Sequence, residues 1–270
     1  MAMAEGAEVY CADTHPVTAR GAEYTDAELD TALGGTVSSI LWDDPGTADL
    51  EGILTGLVST DFSGESLRRV LDRPRVPETW RVGEAIAEGF LVEHRNCEFP
   101  WPSGRDLRNP SASPAGTDLV GFQDTGSGSD AHRFAFGEVK TSAEGRYPPR
   151  VMEGRHGLQW QLEKLRDSSS TKDALMMYLG HHAPGQPWAG RFRSAAGRYL
   201  AAPSDVSLFG VLVRDVDPDP DDLSTHAGNL ASGCPTEMSI ELRAMYLPKG
   251  SIGELSERAA RAREGRHGQE

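Results

Sequence analysis

Only three cysteines occur in the 270 residues: Cys11, Cys97 and Cys234, scattered and without C-x-x-C spacing. That scarcity argues against a disulfide framework or a zinc site and suits a reducing cytoplasm. Long apolar runs are missing as well; none approaches the roughly 18 residues that suggest a membrane span. The first residues, Met1 to Glu8, are acidic and lack the basic-then-apolar pattern of a secretory leader, so the expected location is cytoplasmic. There is no G-x-x-x-x-G-K-[ST] phosphate loop, no G-x-S-x-G and no H-E-x-x-H. Any ATP-driven step must therefore come from another chain. Positive charge is also scarce, with 27 Lys and Arg against 41 Asp and Glu and a net charge of −14. Phosphate binding draws on positive charge, so this balance weighs against a free-standing, nonspecific nucleic-acid binder.

The charge is unevenly spread. Residues 130–200 hold eleven Lys and Arg against seven Asp and Glu, while the segments before and after are acidic. Immediately before and within this basic stretch lie two strand-like segments, Thr117 to Phe122 and Phe134 to Lys140. They are separated by Asp124-Thr125-Gly126-Ser127-Gly128-Ser129-Asp130, which reads as a hairpin loop. Side chains alternate faces along a strand, so Glu138 and Lys140 share one side. A hairpin folded about Ser127 sets Asp118 opposite Phe136, next to Glu138. Two carboxylates and an amine then converge. Such a group suits a hard divalent cation, Mg²⁺ or Mn²⁺, with the amine placed to orient or deprotonate a water. A structural salt-bridge hairpin is the plainer alternative.

Upstream, Thr79 is a candidate N-cap for a helix from Trp80 to about Arg95, with Val82, Ile86 and Phe90 recurring every four residues. Glu84 and Glu88 share a face of it. Glu88 and Glu93 read as the wet side of an amphipathic helix.

An Asp at a strand start followed by Glu-x-Lys on the partner strand resembles the PD-(D/E)xK nuclease superfamily. The match is carried by Gly116-Thr117-Asp118 and Gly137-Glu138-Val139-Lys140. The resemblance implies an α/β, restriction-endonuclease-like mixed sheet flanked by helices and a Mg²⁺-dependent DNA endonuclease activity. It implies Asp118, Glu138 and the Val139 carbonyl as metal ligands, Lys140 as the residue that positions water, and Glu84 as a helix-borne ligand. Gln159 or Gln161, on a helix with Leu158, Leu162 and Leu165, would reach the scissile phosphate. Within the superfamily, residues 80–165 look most like the nuclease subunits of the Hachiman type of bacterial anti-phage defence. That likeness implies a helicase partner supplying the absent ATPase. A nuclease fold that has become an inactive binding or scaffold subunit is the rival expectation.

Arg146, Arg150 and Arg155 are expected to line a DNA groove beside the cluster. Arg105 and Arg108, in the Pro-, Ser- and Gly-rich 100–114 loop, lie close enough in sequence to Asp118 to reach a phosphate. Residues 1–78, with short helices at 26–33, 49–57 and 64–71, read as a helical N-terminal lobe, and residues 79–270 as the nuclease-like domain. His181-His182 reads as a surface pair, and the acidic 215–222 segment as a solvated loop. Val206 to Val213 reads as a buried central strand, Met238 to Leu247 as a further strand, and Ile252 to about Arg263 as a C-terminal helix.

Overall fold

The structure, a computed structural model, describes residues 2–59, 61–71, 76–106, 116–126 and 131–267. Two strands open the chain, β1 (Ala7–Cys11) and β2 (Val17–Glu23). Helices α1 (Asp26–Gly34), α2 (Thr36–Trp42), α3 (Asp44–Thr55), α4 (Asp61–Leu71) and α5 (Thr79–His94) follow. Next come β3 (Cys97–Glu98), β4 (Leu119–Asp124) and β5 (His132–Ser142), then α6 (Leu158–Asp167), α7 (Ser169–His182) and α8 (Ala189–Ala201). The chain ends with β6 (Val206–Arg214), α9 (Ser224–Ala231), β7 (Ser239–Tyr246) and α10 (Ser251–His267).

All seven strands join one mixed sheet in the order β1-β2-β7-β6-β5-β4-β3, so the class is α/β. The three inner pairings β2–β7, β7–β6 and β6–β5 are parallel; β1–β2, β5–β4 and β4–β3 are antiparallel. Every residue of β6 is buried, as its continuous apolar sequence predicts for a central strand. Alternation along β5 divides the core. Ala135 and Val139 face a cluster built with α1, α2, α5 and α10, whereas Phe134 and Phe136 face a second cluster built with α6, α7, α8 and α9.

The expectation of a helical N-terminal lobe needs correcting. Helices α1 to α4 are present, but β1 and β2 precede them and belong to the same sheet, β2 running parallel to β7 from Val17↔Ile240 to Glu23↔Tyr246. In β2 the buried positions are Val17, Ala19, Gly21 and Ala22. Residues this small give little apolar contrast in the sequence, yet they fill a strand covered by its neighbours.

Helix α5 also departs from its sequence reading. Glu78 occupies the N-cap, and the Thr79 hydroxyl is instead 2.9 Å from Ser256 Oγ. Every residue from Val82 to Leu91 except half-buried Glu88 is buried, because the helix lies between the sheet on one side and α2 and α10 on the other. Glu93 is no solvated residue; it accepts hydrogen bonds from Met3 N–H and the Thr36 hydroxyl. The acidic 215–222 segment is likewise anchored. Asp215 accepts from Ile252 N–H at 3.0 Å, and Asp222 is fully buried against Arg214 at 2.7 Å.

Candidate functional site

Two backbone devices bring the site together. At Gly116 the chain turns with φ +118°, a conformation that glycine adopts without steric cost. It delivers Thr117 and Asp118 to the start of β4. On α5, Gly83 lies so close to β5 that a Cβ there would come within 2.0 Å of Thr141 Oγ1. This near contact seats the helix, and with it Glu84, against the strand that carries Glu138 and Lys140.

The hairpin register differs from the expected one by two residues. Leu119 pairs with Gly137 and Val120 with Phe136, so Asp118 stands opposite Glu138 itself. A shift of two preserves the face. Asp118 Oδ2 accepts a hydrogen bond from Val139 N–H at 2.8 Å, which fixes the carboxyl beside Glu138. The contact that Val139 makes here is through its amide; its carbonyl was the group expected among the ligands. Lys140 Nζ is 3.8 Å from Glu138 Oε2, as neighbours on one strand face must be. Glu84 is buried and accepts from Arg81 Nη1 at 2.7 Å. The four sequence-predicted residues thus come together, with Arg81 as an unforeseen fifth.

Their electrostatics are those of carboxyls crowded away from water. Glu138 is 2% exposed, and its Oε2 has no hydrogen-bond partner among the described residues. Burial, followed by the neighbouring Asp118, pushes the Glu138 carboxyl up to about 9. The Glu84 carboxyl rises to about 7, again through burial and then Asp118, with Arg81 and Lys140 opposing. Burial raises Asp118 too, moderated by the Val139 N–H bond and by Lys140. At neutral pH the cluster therefore retains protons when no cation offsets its charge. Among the described residues no group of three or more His, Cys, Asp and Glu is placed so that it could hold a metal ion as it stands. The donor set nonetheless fits a hard cation: oxygen ligands only, one of them a buried carboxyl oxygen without a partner.

Sequence reasoning missed the cavity that opens beside Asp118, with a volume of about 500 Å³. Its lining includes Arg81, Glu88 and Asp118 together with the rings of Phe99, Trp101, Tyr178 and His182. Glu88 belongs to this lining rather than to a wet helix face, and burial raises its carboxyl to about 8. His182 is no plain surface histidine, since it stacks on Trp101 with ring centroids 4.2 Å apart. The indication in the sequence was an aromatic, Trp101, inside a Pro- and Ser-rich loop.

The residues expected to bind DNA do not line this cavity. Arg146 pairs with Glu153 at 3.2 Å and Arg150 with Glu144 at 3.0 Å; Arg155 is exposed, and none of the three lines the cavity. Gln159 turns toward α9, its Oε1 lying 2.6 Å from His226 Nδ1 and 3.1 Å from Asn229 Nδ2. Gln161 is half-buried, with a carbonyl oxygen that has no partner among the described residues. Arg105 is committed to Asp43 through two hydrogen bonds, at 2.7 and 2.8 Å, and Arg108 lies outside the described residues. No family model and no curated protein matches the chain.

Proposed function

We propose that the chain is a Mg²⁺- or Mn²⁺-dependent DNA nuclease of the PD-(D/E)xK kind, hydrolysing phosphodiester bonds with Asp118, Glu138 and Lys140. The observation that carries the reading is the meeting of Asp118 and Glu138 across the β4–β5 register, with Lys140 at 3.8 Å and a Glu138 oxygen that has no hydrogen-bond partner among the described residues. The chain order supports it as well. Helix α5 precedes the β3–β4–β5 meander, and helices α6, α7 and α8 then lead into the parallel strand β6, the order of helix, hairpin strands, helix and later strands expected from the sequence.

In this reading Asp118 and Glu138 hold the cation, and Glu84 adds a third carboxyl directly or through water. The bound cation would lower the pKa of a water and neutralise charge growing on the phosphate. Lys140 holds that water by hydrogen bonding and offsets the carboxylate charge as Glu138 gives up its proton. Arg81 keeps Glu84 oriented at 2.7 Å. A role in anti-phage defence, with a helicase partner that restrains or feeds the nuclease, is part of the same proposal; the acidic surface suits a subunit that works inside a complex.

Plasmid DNA incubated with purified protein and Mg²⁺ or Mn²⁺, with and without chelator, tests the activity. Glu138→Ala and Lys140→Ala should each abolish nearly all cutting, and the double variant should lose little more, because both residues serve one step. Metal-dependent cutting that persists in Glu138→Ala protein refutes the assignment. Folded wild-type protein that binds DNA and never cuts it would identify the scaffold alternative instead.

A further inference from the structure

The cavity beside Asp118 is walled by rings held in place by hydrogen bonds. Tyr178 Oη donates to Asp106 Oδ2 at 2.6 Å, and Trp101 Nε1 donates to Asp106 Oδ1 at 3.4 Å. His182 lies parallel to Trp101, with 9° between the planes, and edge-on to Tyr178 at 4.9 Å. One acidic residue thus ties the segment after β3 to helix α7 and holds these rings together in a cavity that Arg81 and Asp118 also line. The volume of about 500 Å³ falls among pockets that hold small organic ligands, roughly 300–1,000 Å³. Its polar lining combines Asp118, one of the proposed cation ligands, with Glu88, Asp106 and the guanidinium of Arg81, the group that would meet a phosphate. Its apolar end offers ring faces and the side chains of Leu175 and Val120.

We propose that this cavity receives one unpaired nucleotide of a DNA strand, phosphate toward Asp118 and Arg81 and base against the aromatic wall. The preferred substrate is then single-stranded or locally opened DNA. The inference rests on the nuclease reading above and narrows its substrate. A base inside a duplex is stacked on both faces and cannot enter a walled pocket without being flipped out, which costs unpairing energy. An unpaired base pays none of that and gains stacking on the rings.

The test separates binding from cleavage. With chelator present, a fluorescein-labelled short oligothymidine and a blunt duplex of equal length are titrated with wild-type protein and followed by anisotropy. The single strand should bind about tenfold tighter or more. Leu175→Trp, which fills the cavity, should remove about tenfold of that affinity, while Met177→Trp, at a 56% exposed position on the same helix, should leave it unchanged. If Leu175→Trp does not fold, Tyr178→Ala decides, by loss of the ring that closes the wall. A duplex bound as tightly as the single strand, or folded cavity variants that bind like wild type, overturns the inference. Those results leave metal-dependent cutting of plasmid intact as support for the nuclease. Absence of Mg²⁺- or Mn²⁺-dependent cutting of both plasmid and the single strand, with the binding pattern preserved, overturns the nuclease and not the cavity.

Discussion

Replacing Glu138 by Gln should stabilise the metal-free protein, and by an amount that depends on pH in a stated direction. The folded-state pKa of about 9 lies well above the ordinary 4.5. Unfolded protein therefore gives up this proton near pH 4.5, while folded protein keeps it until about pH 9. Stability tied to Glu138 is whole below pH 4.5 and is lost as pH rises through that window. At pH 7 the penalty is the 2.5 units between 4.5 and 7, or about 3 kcal/mol at 1.36 kcal/mol per unit. At pH 5 it is under about 1 kcal/mol. Glutamine has the same shape as protonated Glu138 and no proton to lose, so the variant should gain close to those amounts. For a chain of this size, 3 kcal/mol moves Tm by roughly 5–10 °C.

Urea unfolding and thermal melts at pH 5, 7 and 8, all with chelator, read the effect. Adding Mg²⁺ or Mn²⁺ should then raise the Tm of wild type and do little for Glu138→Gln, since a ligand stabilises only the state that binds it. A variant less stable than wild type at pH 7, or a gain equal at pH 5 and pH 8, would refute the reasoning.

Gly83→Ala should destabilise the fold by about 1–3 kcal/mol by pushing α5 off β5, and Thr141→Ala in the same chain should restore part of the loss because the clash is with Thr141 Oγ1; denaturant melts of both singles and the double check it. Arg214→Ala should cost about 3–5 kcal/mol, since it strands fully buried Asp222 and frees the Glu144 and Arg146 carbonyls that Arg214 holds; Arg214→Met with Asp222→Asn should recover much of that in the same melts. Replacing Arg146, Arg150 and Arg155 together by Ala should lower the salt slope of DNA binding by about one phosphate contact rather than three, because two of them already pair with Glu153 and Glu144; anisotropy titrations at several salt concentrations give the slope.

The alternation rule, applied to Phe134 through Lys140, was enough to place Glu138 and Lys140 on one face and Asp118 near them. It missed the register by two because the turn centre, within a run of Gly and Ser, carries no side chain that fixes it. Glu88 and Glu93 were misread for a different reason. A helix covered on one side shows a wet stripe, whereas α5 is packed between the sheet and two other helices, so its glutamates are drawn inside. Nothing in the local sequence announces that second cover. The cavity was beyond reach as well, since Arg81, Trp101, Asp118 and Tyr178 come from four separated segments that meet only in the fold.

Two buried acidic groups in this chain separate a cluster that holds the fold from one that burdens it. Burial raises both Asp222 and Glu138 above their ordinary pKa values. Asp222, however, accepts from Arg214 at 2.7 Å and from the Tyr246 hydroxyl at 2.8 Å, so its desolvation is offset by two strong bonds. Glu138 interacts with the Asp118 carboxyl opposite, but its Oε2 has no hydrogen-bond partner among the described residues, only the Lys140 ammonium 3.8 Å away, outside hydrogen-bonding range. A hairpin staple would be built like Asp222, with a hydrogen bond to each carboxyl oxygen. A group left short of partners beside two further carboxyls weakens the apo fold, as active-site groups commonly do in exchange for function. The unanswered oxygen is therefore the observation that favours a cation-binding role over the salt-bridge alternative. It predicts that the ion, rather than another side chain, completes the site.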